Sequence, residues 1–230
     1  MLEALREQVL AANLALVTHR LVKLTWGNVS GIDRARGVMA IKASGVSYET
    51  MTVDDVVLVD LDDGSVLQGE RRPSTDTPTH LALYRAYDSI GGIVHTHSTW
   101  ATAWAQAERD IPVLGTTHAD LTAEPIPVTR ALTPQEIDED YEGVTGAVIV
   151  QALAGRAPDE LPCALVRSHA PFCWGADPGA AVATAVTLEE VARLALLSVI
   201  LDPDAGPLQA GLRAKHFERK HGPRAYYGQP

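Results

Sequence analysis

The chain has 230 residues, 46% of them hydrophobic, a length and content that fit one large domain with its own core better than two. Its formal net charge of −10 argues against nucleic acid or an anionic membrane as partner, and its two cysteines argue against a disulfide framework and for a reducing compartment. The first residues lack a cationic stretch leading into an apolar one, and no apolar run reaches the ~18 residues of a membrane span, so the expected setting is soluble cytoplasm.

Leu2, Leu5, Val9, Ala12 and Leu16 recur at three- and four-residue spacing, which predicts an amphipathic first helix. His19 falls at its C-terminal end, where a cation suits the helix dipole, and a structural role fits it better than a catalytic one. Thr25-Trp26-Gly27-Asn28-Val29-Ser30 then mixes β-formers with a glycine and polar groups. Residues 38–41 predict a strand running into Lys42-Ala43-Ser44-Gly45, a loop with a cation, a hydroxyl and a glycine. Residues 56–61 predict another strand, turned back as a hairpin by Asp62-Asp63-Gly64-Ser65.

Pro73-Ser74-Thr75-Asp76-Thr77-Pro78 leads into the next helix, with Thr77 expected as its N-cap and Pro78 at the first helical position. Residues just before a helix sit where backbone N–H groups attract anions, and Ser74 and Thr75 add hydroxyls there. Taken alone, the segment reads first as an ordinary capped helix start. Ile93-Val94 predicts a buried strand, with His95 and His97 two residues apart at its end. Strand side chains alternate faces, so both imidazoles point the same way, a usual start to a Zn²⁺, Fe²⁺ or Mn²⁺ site. Without further ligands the pair is equally well two polar residues ending a strand.

Ser98 is expected to cap a short helix to residue 107, followed by a strand at 112–114 and a polar loop, Gly115-Thr116-Thr117-His118-Ala119-Asp120, that presents side chains. Thr133-Pro134-Gln135-Glu136 has capping-box form and opens an acidic segment, and 146–154 predicts a packed helix. Residues 164–166 predict a buried strand ending in Arg167-Ser168-His169-Ala170-Pro171. Asp177-Pro178 starts the longest helix, to about residue 201, with Val182, Val186, Leu188, Val191, Leu194 and Leu197 inward. A last helix covers 208–220 within a cationic run at 213–224, and the chain closes on Ala225-Tyr226-Tyr227-Gly228-Gln229-Pro230. The alternation of strands and helices favours a layered α/β domain.

Asp76, the His95 and His97 pair, and His169 are the groups suited to a metal. Three imidazoles with a carboxylate leave room for substrate, as a metal that does chemistry requires, and the absence of thiolates speaks against a purely structural zinc site.

Thr-Trp-Gly-Asn-Val-Ser at 25–30, Lys-Ala-Ser-Gly at 42–45, Pro-Ser-Thr-Asp-Thr-Pro-Thr-His at 73–80 and Gly-Ile-Val-His-Thr-His at 92–97 resemble the class II sugar-phosphate aldolases and epimerases. The resemblance covers essentially the whole chain. Asp76 and the Lys-His-Gly…Tyr-Tyr-Gly-Gln tail point to the pentulose-phosphate 4-epimerase branch, since the aldolases carry a glutamate at the place of Asp76. It implies one α/β domain over 1–230, a three-layer α/β/α sandwich about a central, largely antiparallel (mixed) sheet. It also implies a Zn²⁺ enzyme, with Mn²⁺ or Co²⁺ as alternatives, that interconverts L-ribulose 5-phosphate and D-xylulose 5-phosphate by breaking and remaking C3–C4. The implied metal ligands are His95, His97 and His169, with Asp76 a fourth ligand or a carboxylate beside the metal. The implied acid/base groups are Asp120 and Tyr227, with His216 near the tyrosine. The implied phosphate site is Gly27, Asn28, Ser44, Gly45, Ser74 and Thr75, with Lys42 close by. A fourfold homotetramer is implied too, with Asp120 and Tyr227 reaching a metal held by a neighbouring chain. The rivals are an aldolase that releases its aldehyde, a sister pentulose-phosphate epimerase, and an adducin-like scaffold. Against the scaffold stands the joint presence of His95, His97, His169 and Asp120.

Overall fold

The computed structural model describes residues 2–223 and 225–227; Arg224 and the closing Gly228, Gln229 and Pro230 of the tail motif lie outside the described residues. The elements run α1 (Leu2–Thr18), β1 (Asn28–Asp33), β2 (Val38–Lys42), β3 (Val56–Asp60), β4 (Val66–Gln68), α2 (Thr77–Ala86), β5 (Gly92–His95), α3 (Thr99–Gln106) and α4 (Thr116–Leu121). They continue with α5 (Pro134–Leu153), β6 (Cys163–Leu165), β7 (Pro171–Gly175), α6 (Pro178–Leu201) and α7 (Ala210–His221). The strands form one seven-stranded sheet in the order β4-β3-β2-β1-β5-β7-β6. Every neighbouring pair is antiparallel, with an isolated parallel bridge between Val128 and Leu165.

Alternation along the strands assigns the layers. Ser30, Ile93, Phe172 and Trp174 face α2 and α5, packing with Leu83, Tyr84 and Ile149. Val29, Val94 and Cys173 face the opposite way, against Leu16 of α1 and Val182, Leu188 and Val191 of α6. A Cβ on Gly31 would crowd Pro178, Val9 and Leu5, so the glycine lets α1 and α6 lie directly on the middle strand. The result is the expected sandwich of helices on both faces of an antiparallel sheet. Among the described residues no helix is long and apolar enough to cross a membrane.

Several elements depart from the sequence expectation. The interior strands β1 and β7 lack the alternating pattern, because both faces of Asn28, Val29, Ser30 and Gly31 are buried, as are Pro171 to Trp174. Residues 112–114 are not a strand; only Ile111 bridges, to Ile126. The expected loop at 115–120 is instead largely the short helix α4. The cap of α2 is Asp76, one residue before Thr77, and the Thr77 hydroxyl donates to Ser74 O at 2.7 Å. The acidic segment and the helix after it are one element, α5, broken at Asp140 where the backbone is extended (φ −160°, ψ 67°). Its capping box forms as expected, Thr133 Oγ1 accepting from Glu136 N and Glu136 accepting from Thr133 N. Helix α6 starts as expected, Asp177 accepting from Ala180 N at 2.8 Å, but Leu194 and Leu197 are 43% and 39% exposed. The small residues Ala181, Ala185, Ala192 and Ala195 line its buried stripe with Leu188 and Val191.

Candidate active site

Four strand ends meet at one end of the sheet. β1 starts at Asn28, which pairs with His95 at the end of β5, and His95 pairs in turn with Phe172 near the start of β7. β2 ends beside them at Lys42. Gly27 precedes β1 with φ +85°, and a Cβ there would lie 2.8 Å from His95 O. Glycine is what allows the chain to turn against the end of β5.

His95 is buried and stacked on Phe172, with ring centres 4.2 Å apart. Its Nδ1 lies 3.0 Å from Pro171 O. A carbonyl only accepts, so Nδ1 carries a proton and Nε2 is the nitrogen turned toward a metal. His97 and His169 close a triangle with it, at ring separations of 5.0, 4.9 and 4.9 Å. One nitrogen of each ring lies within 4.8 Å of the others. His97 Nε2 and His169 Nε2 are 3.2 Å apart. Two nitrogens bound tetrahedrally at ~2.0–2.1 Å from Zn²⁺ stand about 3.3 Å apart, so the His97–His169 pair already has that spacing. Burial first, then the neighbouring imidazoles, push His169 down to about 4 and lower His97, which keeps both rings neutral and their lone pairs available.

His169 depends on two further elements. Its Nδ1 lies 3.2 Å from the Tyr141 hydroxyl, beside the break in α5. Its turn is tied to the end of α3: Ser168, with φ +57°, donates from its amide to Ala105 O and from its hydroxyl to Glu108, which also pairs with Arg167.

Asp76 makes no cap bond to its helix; its carboxylate instead accepts from Asn28 Nδ2 at 2.7 Å and lies 4.0 Å from His95 Nε2. It stands beside the trio and is not one of the converging ligand groups. Burial works to raise its pKa, but the facing His95 and His80 and the Asn28 bond outweigh that and hold it below the usual carboxylate range. Asn28 Nδ2 also donates to Ser74 Oγ at 3.0 Å, while Asn28 Oδ1 is buried without a partner among the described residues.

The two hydroxyl-bearing loops lie side by side. Ser74 N donates to Lys42 O and Ser44 N to Arg72 O, each at 3.0 Å, with a bridge between Ala43 and Pro73. Ser44, Gly45 and Thr75 are exposed and Ser74 is buried. Lys42 is only 2% exposed, with its Nζ 4.9 Å above the Tyr48 ring. Burial lowers its ammonium to about 8 despite the facing Asp55. The Tyr48 hydroxyl donates to Gly27 O at 2.8 Å, joining this loop to the turn before β1. All seven residues expected around a phosphate, Gly27, Asn28, Lys42, Ser44, Gly45, Ser74 and Thr75, thus belong to three adjoining segments.

Asp120 and Tyr227 form a second cluster. Asp120 on α4 accepts from His216 Nδ1 at 3.0 Å and from Arg219 Nε and Nη2 at 2.9 and 2.6 Å. Burial would raise its pKa, but the bonds from Arg219 and His216 hold it below the usual range. Tyr227 lies over the Arg219 guanidinium, 4.5 Å from ring centre to Cζ, with Lys220 Nζ at 4.7 Å. Among the described residues the hydrogen bonds, ion pairs and ring contacts of Asp120, His216 and Tyr227 run among α4, α7 and the tail, and none reaches the histidine trio. Two residues at these sites escape sequence reasoning, Tyr141 and Arg219. Tyr141 gives no signal in a segment read as acidic. Arg219 is readable afterwards, since three residues after His216 it shares that helix face.

The model of the class II aldolase and adducin N-terminal domain matches residues 7–196. The L-ribulose-5-phosphate 4-epimerase UlaF of Salmonella paratyphi A is 54% identical over 228 residues, covering 99% of this chain and 100% of that one. An L-fuculose 1-phosphate aldolase of known structure has a TM-score of 0.80 at 24% identity, covering 94% of this chain and 95% of that one. The L-fuculose-1-phosphate aldolase of Thermus thermophilus has a TM-score of 0.68 at 25% identity, covering 90% and 100%. The solved structures speak for the fold.

Proposed function

Since the chain belongs to the class II aldolase and adducin N-terminal domain family, we propose that it is an L-ribulose-5-phosphate 4-epimerase, inverting C4 to interconvert its substrate with D-xylulose 5-phosphate. The observation that carries this reading is the convergence of His95, His97 and His169 beside the hydrogen-bonded Asn28–Ser74–Asp76 cluster, in a chain matched end to end by a relative of that name. Residues 1–230 are read as a single domain of the family.

His95, His97 and His169 hold a divalent cation, Zn²⁺ by preference for imidazole ligands with Mn²⁺ or Co²⁺ as alternatives. When bound, it supplies Lewis acidity to the sugar carbonyl and the adjacent hydroxyl. Asp76 balances that charge from beside the trio. The backbone and hydroxyls of Gly27, Asn28, Ser44, Gly45, Ser74 and Thr75, with the Lys42 charge, grip the phosphate. That grip keeps the glycolaldehyde phosphate fragment in place while it turns to present its other face. Asp120, with His216, and Tyr227 carry the proton of the C4 oxygen on its two faces. Because the contacts of Asp120 and Tyr227 stay away from the trio within one chain, the reading includes a homotetramer in which they serve a neighbour's metal site. Two buried free cysteines on adjacent strands accord with a cytoplasmic setting.

A coupled assay of metal-loaded protein with L-ribulose 5-phosphate, following D-xylulose 5-phosphate with and without a chelator, tests the reading. Chelator-sensitive conversion is expected. Accumulated glycolaldehyde phosphate would favour an aldolase, and inert metal-loaded protein would favour a sister pentulose-phosphate epimerase.

A further inference from the structure

We propose that Arg219 is a positioning residue that holds the Asp120–His216 pair and Tyr227 together as one rigid proton-handling unit. The inference rests on the roles proposed above for Asp120, His216 and Tyr227. Its basis is that one residue contacts both sides of the cluster, through its side chain and its backbone. The planar guanidinium meets both carboxylate oxygens of Asp120, Nε to Oδ1 at 2.9 Å and Nη2 to Oδ2 at 2.6 Å. This fork fixes the carboxylate's plane as well as its charge, which a lysine ammonium cannot do. His216, three residues earlier on α7, points its Nδ1 at the same Oδ1 at 3.0 Å. An ionised carboxylate only accepts, so that nitrogen carries a proton.

The Arg219 backbone does the rest. Its carbonyl accepts from Tyr226 N at 2.9 Å and Tyr227 N at 3.1 Å, folding the tail back on the end of α7. The fold lays the Tyr227 ring over the guanidinium at 4.5 Å, within cation–π reach. Lys220 also faces that ring but makes no hydrogen bond to Asp120. His221 approaches only the Asp120 backbone carbonyl, at 2.9 Å. Among the described residues Arg219 is the one that both bonds Asp120 and lies against Tyr227, and its side chain is mostly shielded from solvent. An exposed ion pair contributes little and is screened by salt, whereas this one sits where a small displacement separates two groups that must act in sequence.

The test compares Arg219→Gln and Arg219→Lys with the wild-type, metal-loaded enzyme. In Arg219→Gln, kcat should fall about 10²-fold, the scale expected when reacting groups are misplaced, with KM for L-ribulose 5-phosphate and bound metal unchanged. Arg219→Lys should lose nearly as much despite its charge, and added guanidinium at millimolar concentration should restore part of the activity of Arg219→Ala. Deuterium exchange of the 222–227 peptide should quicken in Arg219→Gln, a readout independent of turnover. Wild-type kcat in Arg219→Gln, full activity in Arg219→Lys, or a KM rise matching the whole loss would overturn the inference. So would an absent guanidinium response in protein of native circular dichroism. If the wild-type protein does not epimerise, the functional reading fails instead; faster tail exchange would then still support the clamp, and unchanged exchange would overturn it.

Discussion

Lys42 offers a test within the ordinary assay range, because burial brings its ammonium down to about 8 from 10.5. Between those values the folded protein binds fewer protons at this position than the unfolded chain, so the residue makes stability rise with pH across that window. Binding has the opposite sign, since only the cationic form attracts a phosphate dianion. KM for L-ribulose 5-phosphate should therefore climb above about pH 8, and Lys42→Met should start with a higher KM that lacks the climb. A flat wild-type KM between about pH 7 and 10 would show that Lys42 does not face the phosphate. The histidine trio predicts a different pattern. His97→Asn should lose metal and activity together, while Asp120→Asn should keep the metal and lose about 10²–10⁴-fold in kcat. Metal analysis beside turnover separates the two, and a fully active, metal-free His97→Asn protein would sink the assignment. At this scale the sequence was informative where geometry is local: His95 and His97, two residues apart, do converge, although β5 ends at His95. It was silent where a side chain chooses a distant partner. Nothing around Asp76 says that its carboxylate turns to Asn28 instead of capping α2.

Elements were legible where their burial is one-sided. Helix α1 shows its stripe because only one side meets the sheet, and α6 announces its start with Asp177 and Pro178. Two interior strands were hidden because β1 and β7 are covered on both faces, which erases the alternation that marks a half-buried strand. Helix α4, at six residues, is too short to display a helical period. The break in α5 at Asp140 likewise leaves no pattern, yet it bears on the metal site, since Tyr141 directly follows and faces His169 Nδ1 at 3.2 Å. With His169 Nε2 turned to the trio, Nδ1–H donates to the Tyr141 oxygen and fixes the ring's orientation. Tyr141→Phe removes that acceptor and keeps the ring's bulk, so metal affinity should weaken by about 10- to 100-fold with little change in melting temperature. Competition against a chelator of known affinity measures it, and an unaltered dissociation constant would mean that the turn of Ser168 and Glu108 orients His169 unaided.

At the scale of the molecule, the separation between the histidine trio and the Asp120–Tyr227 cluster is implied by the family resemblance and is not readable from the residues themselves, which look equally like parts of one site. Within one chain the Asp120 contacts end on α7, whereas His95, His97 and His169 contact one another where β5 ends and β7 begins. If each working site joins the trio of one subunit to the Asp120 of the next, two inactive variants should repair each other. His97→Asn has lost its trio but keeps Asp120, and Asp120→Asn is damaged the other way round. Co-expressed with two different affinity tags and purified through both, mixed tetramers would contain some sites built from the two sound halves. In a fourfold ring assembled at random, about a quarter of the sites would be intact, and activity should return to roughly that share of wild type. The doubly damaged sites are silent, so they cannot mimic the gain. Mixed tetramers as inactive as either parent would mean that each chain completes its own site, with the tail and α4 swinging onto the trio of the same subunit.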